Sequence, residues 1–150
     1  MASADNHYRQ AQLNFLHLRD LFHPNAHFRA DWVVTVCFYC AVHLINGYLA
    51  GLQLHPKTHQ ETERVLNRIN KPRHIPISSY AELKNLSHQT RYIGTKDMNY
   101  PHIPNVDRQD VTDSLEYLED ILHFIRKHYH LHPKAYPTPT IHFEGKDFFG

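Results

Sequence analysis

WVVTVCFYCAVHLINGYLAGLQLHP, residues 32–56, holds no Asp, Glu, Lys or Arg, although charges are scattered through most of the 150-residue chain. About 20 apolar residues suffice to cross a bilayer. Thr35, His43, Asn46, Gln53 and His55 interrupt this run, however, and no Lys/Arg-biased flank orients it. The expectation is a helix buried in the middle of a bundle, with no membrane association. Asp31, Thr35, Tyr39, His43 and Asn46 step by four, four, four and three, which draws one polar stripe along an otherwise apolar helix. Buried polar groups need partners, so the stripe either bonds neighbouring helices or lines a functional cleft.

Outward from that helix, other segments read as further helices. Tyr8, Ala11, Phe15, Leu18 and Phe22 mark an amphipathic one that His23-Pro24-Asn25 ends. The central helix then runs from about Ala26 to Ala50, with Gly51 as its stop. Thr58 and Glu61 form a capping box that opens a third helix, expected to stop before Pro72. Ser79 and Glu82 repeat the box for a fourth, which Gly94 ends, and the turn-rich GTKDMNYPHIPN follows. Val111, Leu115, Leu118, Leu122, Ile125 and Tyr129 seam a fifth. From residue 133 a Pro-punctuated tail carries Ile141, Phe143, Phe148 and Phe149, with a short edge strand at Thr140–Phe143 as the one non-helical candidate. The fold class is therefore all-α: one up-and-down bundle of about five helices over residues 1–132 and an irregular tail over 133–150.

Composition narrows the function. Net charge is +1 with all fifteen histidines neutral, which gives no strong case for nucleic-acid binding until imidazoles charge. Cys37 and Cys40 read as two small buried hydrophobes, and with the polar N-terminus they point to the cytoplasm. Cys37, Cys40 and His43 converge poorly on one ion, and the chain lacks the paired Glu-x-x-His motifs of a di-iron bundle. No metal site and no cofactor is expected. No glycine-rich phosphate loop and no Gly-x-Ser-x-Gly elbow occurs.

The fourth helix holds the most suggestive chemistry. In KNLSHQTRY, helical spacing sets His88 beside Arg91 and Tyr92, and Ser87 beside Arg91. An imidazole next to a guanidinium suits phosphodiester chemistry without metal, one group moving a proton while the other holds phosphate charge.

Asp31-Trp32 leading into Phe38-Tyr39 and Ala41-x-His43, then His59, Tyr80-x-x-Leu83-x-x-Leu86-Ser87 and Arg91-Tyr92, resemble a HEPN domain over about residues 8–128. The resemblance implies a helical bundle, commonly homodimeric, used in bacterial toxin, abortive-infection and RNA-processing systems. Its active members are metal-independent endoribonucleases in which an Arg and a His work on the ribose 2′-hydroxyl and the phosphate across a dimer cleft. The family's Arg, four to six residues, then His is met here by Arg68 with His74 and by Arg126 with His132, both at helix ends beside Pro72 or Pro133. The site expected for an active protein is Arg91 for phosphate and His88 or His59 for proton transfer, with Tyr39, His43, Asn46, Ser87 and Tyr92 in the cleft. The alternative is a non-catalytic interaction or antitoxin-type module, partnering for example a nucleotidyltransferase, in which the stripe is structural.

Overall fold

A computed structural model describes residues 2–22, 30–92 and 106–128, apart from the side chains of Pro72, Arg91, Tyr92 and Arg108. Five helices follow in order: α1 (Ala4–Leu21), α2 (Ala30–Gly51), α3 (His59–Arg73), α4 (Ile77–Tyr92) and α5 (Arg108–His128). Among the described residues there is no strand. The expected turn at His23-Pro24-Asn25, the loop from Gly94, Tyr129, the 133–150 tail and its Thr140–Phe143 strand lie outside the described residues.

α2 is apolar because it is surrounded. α1, α4 and α5 all pack against it, and 83% of its most apolar window is buried inside the protein, although by length and composition alone it passes for a membrane span. Phe38, Leu44, Ile45 and Leu49 are fully buried along it, together with both cysteines, which are unpaired thiols. Burial pushes both thiols well above their ordinary range, so they stay protonated and act as small hydrophobes. α1 buries Tyr8, Ala11, Phe15 and Leu18, the expected seam. α5 buries Val111, Leu118, Ile121, Leu122 and Ile125, closing the same continuous core.

Three boundaries differ from the sequence expectation in detail. Gly51 is the last residue of α2, but the left-handed position that stops it is Gln53 (φ 61°). Gln53 N–H bonds the Ala50 carbonyl, and Leu54 N–H reaches back to Leu49 at 2.9 Å, a Schellman arrangement. α3 does not stop before Pro72 but continues to Arg73. A proline that close to the end removes one hydrogen bond from a turn that is already finishing. The actual stop is His74 in the left-handed region (φ 54°), whose N–H bonds Asn70 O, while the Asn70 side chain accepts from Ile75 N–H at 2.8 Å. α4 opens at Ile77, so Ser79 lies inside the helix; its hydroxyl donates to Asp120 on α5 at 3.0 Å rather than capping. The third-helix cap is as expected: Thr58 Oγ1 accepts from Glu61 N–H at 3.1 Å. The Glu61 carboxylate closes the box one residue early, on Lys57 N–H at 2.7 Å.

Candidate functional site

The polar stripe divides into two halves. Thr35, buried on the first half of α2, meets Thr90 of α4, Oγ1 to Oγ1, at 3.1 Å. Thr35 also lies 2.9 Å from the Asp31 carbonyl and Thr90 2.7 Å from that of Ser87. Two hydroxyl protons thus serve three contacts, and the pair pins the C-terminal end of α4 against α2. This places the backbone of Arg91 and Tyr92, the last residues of α4, beside the start of the stripe; their side chains fall outside the description. Ser87 is fully buried against the same junction and presents no surface.

Trp32 and Tyr39 stand seven residues apart, two turns along one face, and are 50% and 38% exposed on a helix otherwise almost entirely buried. Phe38, next to Tyr39, wedges between α3 and α4, its ring 5.1 Å from His59 edge-on and 5.9 Å from Tyr80. α3 and α4 form an antiparallel hairpin hinged at residues 74–76 and bridged by Lys84 Nζ to Glu63 Oε1 at 2.7 Å. One turn further from the hinge on each helix come His59 and His88, both at the surface. His59 and His88 therefore lie toward the end of the α3–α4 hairpin away from the hinge, with His59 touched by Phe38, the neighbour of Tyr39.

His43 and Asn46 turn to the other flank. His43 Nδ1 lies 3.3 Å from Nδ1 of His7 on α1, a contact in which one ring donates and the other accepts. Burial first, and then the neighbouring imidazole, hold both below the ordinary histidine value: His55 acts on His7, and His7 on His43. Asn46, His7, His55 and Lys57 line a cavity of about 250 Å³. The buried Oδ1 of Asn46 has no partner among the described residues. No group of three or more His, Cys, Asp or Glu is placed to hold a metal ion among the described residues.

The stripe is legible from helical spacing, but the exposure of Trp32 and the partners Thr90 and His7 are not. Trp32 is the most exposed aromatic among the described residues. Thr90 ties the site together. His7 is the partner of His43. Spacing within a single helix predicts neither of these partners, because both contacts cross between helices. Of the Arg-x-His pairs, Arg68 is exposed on α3 and His74 is its cap, while His132 lies outside the described residues.

Among the described residues, then, an all-α bundle leaves Trp32 and Tyr39 exposed on its central helix, with the backbone end of α4 at Arg91 and Tyr92 close to the start of that helix. The chain matches the HEPN domain over residues 4–128 and belongs to that family. Neither the curated proteins nor the solved structures give a significant match.

Proposed function

We propose that this HEPN protein binds RNA across the open face of α2 and cleaves it without metal, as a toxin- or defence-type endoribonuclease of the cytoplasm. The observation that carries the reading is the pair Trp32 and Tyr39, exposed two turns apart on α2, with Phe38, the neighbour of Tyr39, in ring contact with His59. Aromatic faces spaced along a groove stack successive bases without sequence preference. In the proposed reaction an imidazole, His59 or His88, removes the ribose 2′-hydroxyl proton, and the 2′-oxygen attacks the adjacent phosphorus. The 5′-oxygen leaves with a proton from the second imidazole, which yields a 2′,3′-cyclic phosphate and a 5′-hydroxyl. Arg91 holds the phosphate charge as it grows. Tyr39 and Tyr92 flank the proposed cleft, whereas His43 and Asn46 face the separate α1 side and Ser87 packs inside the bundle beneath it.

The test is incubation of untagged protein with a mixed RNA pool in EDTA, with product ends read for cyclic phosphate. Loss of about 10²-fold or more in His88→Ala or His59→Ala, and in Arg91→Ala, is expected with the fold intact. A second reading, a non-catalytic interaction module partnering another protein, is favoured by the internal partners of Thr35 and His43. Absence of cleavage by the wild type selects it.

A further inference from the structure

At the hinge end of the α3–α4 hairpin, away from the stripe's mouth, lies a cleft of about 620 Å³. Arg73 and His74 from the end of α3 face it, as do His123, Lys127 and His128 from the end of α5. Two of these five side chains carry a fixed positive charge, and three are imidazoles. Asp120 is the one carboxylate in the lining, and it is engaged by the Ser79 hydroxyl at 3.0 Å.

Cations near helix C-termini have an ordinary use, since they offset the partial negative charge there. That accounts for Arg73, Lys127 and His128, which sit in last turns. It does not account for His123, which comes before the last turn of α5 yet faces the same concavity. Nor does it account for His74, a non-glycine residue held at φ 54° on the cleft's lip, a conformation that glycine adopts at much lower cost. Arg73 is also positioned. One of its N–H groups donates to the Tyr48 hydroxyl at 3.1 Å, and the Tyr48 ring is held edge-on by Phe124 at 5.1 Å. That bond ties the exposed Arg73 side chain to α2 and leaves further donors on its guanidinium. The His128 ring lies tilted against the same Phe124, with centroids 4.5 Å apart.

We propose that this cleft is a second site, which binds a phosphate-bearing ligand through Arg73, Lys127 and the surrounding imidazoles. A guanidinium and an ammonium lining one cleft suit a phosphate's several acceptor oxygens, and the volume accommodates a polyphosphate or a stretch of sugar-phosphate backbone. Two sources share that chemistry: a free nucleoside triphosphate and the backbone of an RNA chain.

The test uses the full untagged chain in EDTA at about 50 mM salt, because phosphate binding weakens steeply with salt. Calorimetry with ATP and fluorescence anisotropy with a labelled single-stranded RNA are run on wild type, the double variant Lys127→Gln/His123→Gln, and Arg73→Gln. The double variant changes exposed residues of α5 only and keeps the fold testable if Arg73→Gln, through Tyr48, lowers stability. The expected result is at least tenfold weaker binding of one probe in the double variant at an unchanged melting temperature; whichever probe responds identifies the source. Binding of neither probe by the wild type, or affinities that the double variant leaves unchanged, overturns the proposal. Trp32→Ala and Arg91→Ala act at the opposite mouth and separate the two readings. RNA affinity lost only in those two variants, with no ATP binding, overturns the cleft and keeps the stripe. Binding that depends on Lys127 and His123 in a protein that cleaves nothing keeps the cleft and overturns the nuclease.

Discussion

His7 and His43 share one hydrogen bond across the α1–α2 contact, and that bond needs at least one neutral ring. Both are held below the ordinary 6.5 by burial, with the neighbouring imidazole as the second cause. A base whose folded pKa is depressed stabilises the fold fully above its unfolded value. That stability is lost as pH falls from about 6.5 through the folded values, because the unfolded chain then binds more protons. Two charged rings 3.3 Å apart, with His55 and Lys57 lining the adjoining cavity, have no carboxylate among that cavity's residues to compensate them. The melting temperature should therefore drop more between about pH 7.5 and pH 5.5 in wild type than in His43→Gln. Parallel curves for the two proteins would remove the pair from the acid response. His74 gives a second expectation at this scale. Replacing it by glycine relieves the left-handed cap and should raise stability by roughly 0.5–1 kcal/mol. Chemical denaturation measures it, and a loss of stability would mean that the side chain itself supports the hinge.

Among the elements, the α1–α2 contact depends on Gly47 but not on Gly51. A Cβ on Gly47 would sit 2.8 Å from Cε1 of the buried Tyr8 ring, whereas a Cβ on Gly51 meets nothing within 4 Å. Gly47→Ala should cost about 1–3 kcal/mol through the clash, and Gly51→Ala should gain up to about 1 kcal/mol from helix propensity. Equal effects in denaturant melts would show that the two helices are not in close approach at Gly47. The elements themselves were largely legible in the sequence. α2 announces itself by lacking charge, and α1 and α5 by apolar positions at steps of three and four. The ends were less legible, because a local signal competes with tertiary partners. Ser79 has the composition of a cap, yet Asp120 on another helix recruits its hydroxyl. Pro72 reads as a stop, yet the helix outlasts it by one residue until Asn70 fastens both His74 and Ile75.

For the molecule as a whole, the two mouths of the bundle differ in how they arise from the chain. The stripe lies on one helix, so period alone reveals it. The hinge cleft gathers residues 73–74 and 123–128, which only the antiparallel α4 return and the α5 closure bring together, and no local pattern reports that. On the proposed function, a homodimer would use the stripe mouth. Trp32 at 50% exposure and Tyr39 at 38% leave an aromatic face on the most apolar helix, and a second copy seated on its Trp32 end would bring a second His59 and His88 to the same end of the assembly. On this proposal light scattering gives twice the 17.7 kDa chain mass, and Trp32→Glu, which places a charge in the seam, returns it to a single chain mass. Cleavage should fall with the dimer in that variant while binding at the hinge cleft is retained, since Trp32 lies at the other end of the bundle. A wild-type protein that cleaves RNA at a single chain mass would show that one copy of the stripe suffices, and Trp32 would then act by stacking bases alone.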